Sequence, residues 1–290
     1  MPEIRLRAHA KINYALDVLG LREDGYHQVR TVMQSISLAD EVELRRAAGG
    51  FRLSFEPEEA ELGPPEQNTV YLAWRLLQRL TGVELPVEVF LRKGIPAGAG
   101  LGGGSADAAA VLVGLNEIFG VGLRVDELRE AGGAIGADVP FCISGGTALG
   151  EGIGEILTPL PAAPAHRLVV AKPLRSADTA SIYRAYDRAE TQSTRSVEPV
   201  VSALRSGNVK ALASAVGNDL APVTRDLVSE ITTLEQALVT SGALAASMSG
   251  SGTAVYGIFD DEETARGAQD TVDVPFIGIY EPVPCGVRIV

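Results

Sequence analysis

The sequence has few of the residues that stabilise small secreted domains or hold structural metals. Only two cysteines, Cys142 and Cys285, and three histidines occur among its 290 residues. A disulfide framework needs several paired cysteines, and a structural zinc site needs closely spaced cysteines or histidines. Neither pattern is present, which argues against both classes of protein.

Positive charge is also scarce, since the formal net charge is -12 at pH 7. An acidic protein is repelled by phosphate backbones, so we expect no binding to nucleic acid. A site for an anionic substrate would therefore have to be positive locally. Lysine is rare beside arginine, so each retained lysine is a candidate for a specific role; they are Lys11, Lys93, Lys172 and Lys210.

Long apolar runs are absent. The most apolar run, residues 108–115, is too short to span a bilayer and is flanked by Asp107 and Glu117. The first residues carry no apolar core of the kind found in a signal peptide. We therefore expect a cytoplasmic protein without a membrane partner, and nothing in the sequence implies a protein partner.

The apolar fraction of 46% and the charged fraction of 21% are ordinary for a globular protein. Apolar alternation and helical periodicity predict the elements of the first half. In chain order these are short strands at 3–9 and 13–19, antiparallel strands at 40–46 and 51–55, a helix at 68–81 capped by Asn68, a strand at 86–92, and helices at 105–119 and 126–135.

A proline-rich stretch near 158–166 predicts a boundary between two domains, residues 1–160 and 161–290. The predicted elements beyond it are a strand at 166–172, a helix at 178–189, a loop at 190–197, helices at 198–205, 208–217 and 220–240, strands at 244–248 and 253–259, a short helix and a last strand near 274–280. Strands and helices do not simply alternate along the chain. The sequence therefore predicts an α+β fold rather than a doubly wound sheet.

Residues 96–106 form a glycine-rich loop between a predicted strand and a predicted helix. Small residues let backbone amides approach an anion, and the helix N-terminus adds unpaired N–H groups and a positive dipole. Phosphate is the expected ligand. Ser105 has three possible roles, as a helix cap, a phosphate ligand or a metal ligand.

Two familiar phosphate loops fit this segment poorly. A Walker A loop would end in Gly-Lys-Ser/Thr, which does not occur here. Gly98, Gly100 and Gly103 match the dinucleotide spacing, but that fingerprint requires a second strand after the helix. The next segment, 126–135, instead predicts another helix. A nucleoside triphosphate is therefore favoured over a nicotinamide dinucleotide.

Three motifs in one order resemble the GHMP kinases, a family of small-molecule kinases. They are Ala8-His9-Ala10-Lys11-Ile12-Asn13, the glycine loop, and Ser247-Met248-Ser249-Gly250-Ser251-Gly252-Thr253. The segments Arg22-Glu23-Asp24-Gly25-Tyr26-His27 and Gly136-Ala137-Asp138-Val139-Pro140-Phe141 extend the likeness to the branch that phosphorylates cytidyl-diphospho-methylerythritol. Ala106 stands where many relatives have a second serine.

The resemblance implies a two-domain fold, with an N-terminal domain like the second domain of ribosomal protein S5 and a ferredoxin-like C-terminal domain. It also implies ATP and Mg²⁺ as cofactors, with ligands bound between the domains. The residues it assigns to ATP are Pro96, Ala97, Gly98, Ala99, Gly100, Leu101, Gly102, Gly103, Gly104, Ser105, Ala106, Asn68 and Lys93. Asn68 serves equally well as a helix cap, and Ser105 is the one suggested metal ligand.

The resemblance further implies that Asp138 is the general base and that Lys11 is its partner, which steadies charge on the alcohol and the phosphate. Read without it, Asp138 is a helix-end or turn carboxylate and Lys11 an exposed lysine at a strand end. Asn13, Tyr26, His27 and Tyr183 are assigned to the substrate. Tyr26 and Tyr183 would stack on the cytosine faces and His27 would bond its edge.

Three alternatives stay open at this point. The chain is another GHMP kinase, acting on mevalonate, phosphomevalonate, homoserine or a sugar; a non-catalytic nucleotide-binding module; or a dinucleotide oxidoreductase. The Asp-Gly-Tyr-His segment argues against the first. Retention of both Lys11 and Asp138 argues against the second, because a binding module needs neither.

Overall fold

The architecture was analysed in a computed structural model that describes residues 3–57, 67–189 and 196–290. Most of the loop predicted at 190–197 lies outside the described residues. Two β-sheets with helices packed on them account for the described chain, so the predicted α+β class is confirmed.

The first sheet is built on two long antiparallel strands, β1 (Glu3–Leu21) and β2 (His27–Arg46). The prediction of two separate strands at 3–9 and 13–19 was wrong. Irregularities between His9 and Lys11 and between Asn13 and Ala15 shift the register without ending the strand. They break the apolar alternation, and both faces of β1 are buried from Ala8 to Val18, which hides the continuity in the sequence.

The strands β3 (Phe51–Glu56) and β4 (Val87–Arg92) extend this sheet beyond β2. β4 runs antiparallel to β2, but β3 pairs with β4 in parallel, so the antiparallel prediction was wrong for β3. β5 (Thr147–Glu151) pairs with the first half of β2, on the same side of β2 as β4, and β6 (Ile156–Pro159) pairs with β5. Further along the chain, β8 (Gly217–Asn218) and β12 (Val287–Ile289) both pair with β1.

Four helices accompany the first sheet, and the longest of them follows the glycine loop. They are α1 (Thr69–Thr81), α2 (Gly103–Phe119), α3 (Val125–Gly133) and α4 (Val139–Ser144). α2 is rich in alanine and packs closely on α1 and β1. Its buried face forms part of one continuous core with β1, β2 and β4, which anchors the helix rigidly behind the loop.

The second sheet is four-stranded and antiparallel, in the order β11-β7-β10-β9. This matches the sheet expected of a ferredoxin-like domain. Its strands are β7 (Arg167–Lys172), β9 (Ala245–Met248), β10 (Val255–Phe259) and β11 (Phe276–Tyr280). Its helices are α5 (Thr179–Arg188), α6 (Glu198–Ser206), α7 (Val209–Ala215), α8 (Ala221–Leu227), α9 (Glu230–Thr240) and α10 (Glu262–Thr271).

Two predictions in this half were wrong. The single helix expected at 220–240 is two helices, because Val228 leaves the helical region with φ of -135° and ψ of 83° and ends α8. The chain also continues past the predicted last strand and returns as β12 to the first sheet, with Leu6 opposite Ile289. The domain boundary near residue 160 stays a prediction.

No helix in the described ranges is both long enough and apolar enough to cross a membrane.

Candidate active site

A cleft of about 1260 Å³ is lined by elements of both halves of the chain. The glycine loop lies along it, and the loop between β9 and β10 contributes Gly250 and Ser251. Nearly all residues singled out from the sequence line this one cleft, among them Lys11, Asn13, Tyr26, His27, Asn68, Lys93, residues 96–105, Asp138 and Tyr183. Ala106 does not, because it is completely buried in the core behind the loop.

The carbonyl groups of the glycine loop are bonded away from the cleft. Ala99 O accepts from Ala254 N at 3.0 Å, and Leu101 O accepts from Lys11 N at 2.9 Å. Between them, Gly100 O accepts from the Ser249 hydroxyl at 2.9 Å. These bonds tie the loop to β1 and to the loop after β9. Consecutive loop residues therefore have a fixed orientation.

The amide groups of residues 98–105 in the same loop, unlike the carbonyl groups of residues 99–101, have no hydrogen-bond partners in the described ranges. The helix α2 starts at Gly103, two residues earlier than predicted, and its N-cap is Gly102 without a side-chain cap. Ser105 is therefore not the helix cap. Unpaired amides at a helix N-terminus favour anion binding, and phosphate as the ligand of this loop stays a prediction.

Lys11 lies where the first motif, the glycine loop and the segment that contains Asp138 come together. Its ammonium donates to Asn13 Oδ1 at 2.8 Å and lies 3.3 Å from Asp138 Oδ2. The lysine stem packs against Gly102, where an added Cβ would lie 3.0 Å from Lys11 Cγ. Lys11 is 4% exposed, so the alternative of an exposed strand-end lysine was wrong.

Asp138 stands at the N-cap position of α4, yet its carboxylate makes no capping hydrogen bond. Its side chain is 34% exposed and faces the cleft, with the Lys11 ammonium as its ion-pair partner. A carboxylate in a helix-start position that does not cap the helix is available for chemistry. The alternative of a helix-end or turn carboxylate fits its position at the start of α4 but does not explain its ion pair with Lys11.

Asn13 is held rigidly by its neighbours in the first sheet. Its Nδ2 donates to Thr31 Oγ1 at 2.7 Å, and the Thr31 hydroxyl in turn donates to Ala15 O at 2.7 Å. This leaves Asn13 Oδ1 to accept from Lys11. The chain of bonds fixes where the ammonium lies relative to β1.

In the same cleft, the His27 ring stacks on Tyr183 of α5, with centroids 4.6 Å apart and planes at 26°. His27 Nε2 lies 2.6 Å from Asp187 Oδ1, one helical turn beyond Tyr183. Tyr26 is 61% exposed. The structure thus brings the three predicted aromatic groups together, but one face of Tyr183 is covered by His27 rather than open.

The two residues assigned to the adenine have other partners. Asn68 is the N-cap of α1 and accepts from Val70 N at 2.9 Å. Lys93 donates to two buried carboxylates, Asp40 and Asp107. Burial, together with the nearby Asp40 carboxylate, raises the pKa of Asp107 to about 8, although the Lys93 ammonium opposes that shift.

Sequence reasoning missed Asp40 and Asp107 as parts of this region. Asp107 had a visible signal, because it is the single charge at the start of an otherwise apolar helix. Asn218 of β8 was also missed. Its Nδ2 donates to Met248 O at 3.0 Å and to Gly250 O at 2.7 Å, and so holds the third motif against β1.

The described residues contain no cluster of three or more His, Cys, Asp or Glu side chains that could hold a metal ion by themselves. The cleft does contain a hydroxyl, Ser105, and a carboxylate, Asp138. Mg²⁺ is commonly bound by one or two such groups together with substrate phosphates. The donor set therefore fits a magnesium ion that arrives with a nucleotide.

Comparison with known proteins agrees with this geometry. Residues 68–146 match the GHMP kinases N terminal domain, and residues 200–274 match the GHMP kinases C terminal domain. The 4-diphosphocytidyl-2-C-methyl-D-erythritol kinase of Pelotomaculum thermopropionicum is 45% identical over 89% of this chain and 90% of its own. That of Moorella thermoacetica is 43% identical over 92% and 93%.

Solved structures show the same likeness. A crystal structure of 4-(cytidine 5'-diphospho)-2C-methyl-D-erythritol kinase superposes with a TM-score of 0.79 at 31% identity, covering 95% of this chain and 98% of the other. A crystal structure of L. major mevalonate kinase in complex with R-mevalonate has a TM-score of 0.74 at 18% identity, over 96% and 95% of the two chains, which shows the shared fold alone.

The cleft and its loop define a small-molecule kinase, and the chain belongs to the GHMP kinase family. Membership implies that ATP is the phosphoryl donor. Within the family, the relatives that match nearly the full chain at 38–45% identity are named 4-diphosphocytidyl-2-C-methyl-D-erythritol kinases.

A test of the loop geometry is offered by Gly100, whose φ is +73° and where an added Cβ would lie 2.1 Å from Ser249 O. Gly100→Ala must push the loop away from residues 249–252. We expect ATP to bind at least about 10-fold more weakly, because misplacement of about 1 Å costs up to 10²-fold. Isothermal titration with ATP measures the effect.

The matched control is Gly120→Ala at the end of α2, which has φ of +63° but no atom within 4 Å of the added Cβ. It carries the same backbone strain, about 1–2 kcal/mol, without the clash. Equal ATP affinity in the two variants would contradict the proposed packing of the loop.

Proposed function

We propose that the protein transfers the γ-phosphoryl group of ATP to a hydroxyl of 4-diphosphocytidyl-2-C-methyl-D-erythritol, giving the 2-phosphate used in non-mevalonate isoprenoid synthesis. The observation that carries this proposal is the Lys11–Asp138 pair, 3.3 Å apart in a cleft lined by unpaired loop amides. The full-length relatives with this name support the choice of acceptor.

In the proposed reaction, Asp138 accepts the proton of the acceptor hydroxyl as its oxygen attacks the γ-phosphorus. The bond from that phosphorus to the β,γ-bridging oxygen breaks, and ADP leaves with the bonding electrons. Lys11 balances the negative charge that develops on the alcohol oxygen and the transferred group. Asn13 Oδ1 holds the ammonium in place throughout.

The loop amides hold the phosphates during transfer. Eight consecutive residues, 98–105, present amides without protein acceptors, so the triphosphate completes hydrogen bonds that the fold leaves open. A magnesium ion bound with ATP would neutralise phosphate charge. We propose Ser105 as its protein ligand, with the Asp138 carboxylate as a second oxygen donor in the same cleft.

The cytosine of the acceptor would bind near Tyr26, His27 and Tyr183. Since His27 covers one face of Tyr183, the base has only the other face of that ring for stacking. Tyr26, exposed at the rim, is the candidate for the second face. Asp187 fixes the orientation of the His27 ring through the 2.6 Å contact.

The function is tested by coupled ADP release with purified protein. We expect turnover with 4-diphosphocytidyl-2-C-methyl-D-erythritol and none with mevalonate, phosphomevalonate, homoserine or a sugar at equal concentration. Faster turnover of any of these other alcohols would assign the protein to another branch of the family. Absence of ADP release with every acceptor, together with tight ATP binding, would favour a binding module.

Asp138→Asn tests the general base. We expect turnover to fall by roughly 10²–10⁴-fold, because the variant keeps the shape but cannot accept the proton. ATP affinity should stay close to that of the wild type. Asp126→Asn is the control, since Asp126 is an exposed carboxylate near the start of α3. Wild-type turnover in Asp138→Asn would refute the assignment.

Tyr26→Ala tests the base-binding end. Loss of a stacking aromatic removes about 1–3 kcal/mol of base binding, so the KM for the acceptor should rise by roughly 10- to 100-fold. The KM for ATP provides an internal control and should not change. A Tyr26→Phe variant keeps the ring and should behave like the wild type. An unchanged acceptor KM in Tyr26→Ala removes Tyr26 from the site.

A further inference from the structure

A buried charge cluster lies directly behind the glycine loop and plays no part in the proposed chemistry. It consists of Asp40 on β2, Lys93 after β4, and Asp107 in α2, and is called the charge cluster below. The Lys93 ammonium donates to one oxygen of each carboxylate. Asp40 and Asp107 are 0% and 2% exposed.

The charge cluster joins the two ends of the glycine loop. At the first end, Asp40 Oδ1 accepts from the backbone amides of Gly94 and Ile95 at 2.6 and 2.8 Å. At the second end, Asp107 belongs to the second turn of α2, which begins at Gly103. Lys93 donates to both carboxylates. The charge cluster therefore links the start of the glycine loop, residues 96–106, to the helix that follows it.

Burial of the charge cluster lowers the stability of the fold, so its presence indicates a role other than stabilisation. Two carboxylates share one ammonium, and Asp107 Oδ1 has no hydrogen-bond partner in the described part of the chain. Burial of incompletely paired charge is unfavourable, and apolar residues of similar volume generally replace such groups without loss of stability. Burial and the neighbouring carboxylate both raise the pKa of Asp107, which limits the net negative charge behind a phosphate site.

Asp40 has a property that Lys93 and Asp107 lack. Both of the latter line the cleft, whereas Asp40 does not and has no accessible surface. Asp40 therefore cannot contact a nucleotide directly, and its hydrogen bonds reach the cleft only through the Lys93 ammonium and the amides of Gly94 and Ile95. This makes it possible to separate positioning of the loop from direct contact with the ligand.

We propose that Asp40 and Lys93 are positioning residues that set the spacing between the two ends of the glycine loop, so that its amides are presented to the triphosphate. The inference rests on the proposed function in that ATP occupies the cleft. It differs from the role implied by resemblance, in which Lys93 serves the adenine.

The test compares Asp40→Asn, Lys93→Met and Lys93→Arg with the wild type. Asp40→Asn keeps an oxygen for the two backbone amides but weakens the bond to Lys93. We expect ATP to bind about 10- to 100-fold more weakly in Asp40→Asn and in Lys93→Met, the range typical of lost positioning contacts. Lys93→Arg keeps the charge and both carboxylate partners and should recover most of the affinity.

Two readouts separate positioning from general damage. The affinity for cytidine 5'-diphosphate reports on the proposed cytosine site at Tyr26, His27 and Tyr183. It should stay at the wild-type value in every variant. Lys210→Met is the matched control, because Lys210 is an exposed lysine in α7. If Lys93→Met does not fold, Asp40→Asn and Lys93→Arg carry the test by themselves.

Each outcome decides the inference. Loss of ATP affinity in Lys93→Met with wild-type affinity in Asp40→Asn would overturn it and make Lys93 a direct ligand. Equal loss of ATP and cytidine 5'-diphosphate binding would also overturn it, in favour of a purely structural role. Failure of the proposed function is distinguishable, since wild-type protein would then release no ADP with the proposed acceptor, whereas failure of this inference leaves wild-type turnover and ATP affinity intact.

Discussion

The site depends on one buried ammonium. Lys11 is 4% exposed and must find acceptors within the protein, and it finds them in Asn13 and Asp138. Those two groups come from distant parts of the chain, and the lysine stem lies against Gly102 of a third. Because a buried cation is tolerated only when it is paired, this requirement fixes β1, the glycine loop and the start of α4 relative to one another.

The need to pair buried polar groups also explains the orientation of the glycine loop. Each backbone residue has one donor and one acceptor, and burial forces each to be satisfied. Here the acceptors of residues 99–101 are satisfied by Ala254, Ser249 and Lys11, while the donors of residues 98–105 are left for a ligand. The two halves of the chain thus meet on the carbonyl side of the loop and leave its amide side open.

Sequence reasoning predicted the class of fold, the loop, the pair Lys11 and Asp138, and most helices to within a few residues. Local patterns predicted the loop and the helices, because glycine runs, caps and apolar periodicity act over a few residues. The pairing of Lys11 with Asp138 came instead from the resemblance to the GHMP kinases. Long-range geometry escaped it. The return of β12 to β1, the parallel pairing of β3 and the contacts of Asp40 depend on residues far apart in sequence. The stacking of His27 on Tyr183 likewise joins two halves that no local pattern relates.

Lysine scarcity proved to be an informative signal for a physical reason. Lys11, Lys93 and Lys172 are buried or nearly so, and only Lys210 is exposed. The positive charge on the surface of this chain is therefore carried mainly by arginine. Each of the two lysines that line the cleft is paired with at least one carboxylate. In the proposed function, an acidic protein therefore attracts the triphosphate through neutral amide dipoles and a helix terminus, while the ammonium groups in the cleft are already paired with carboxylates. Such a site holds the polyanion by geometry rather than by net charge, and for that reason the exact spacing of the loop ends matters more than the number of cations nearby.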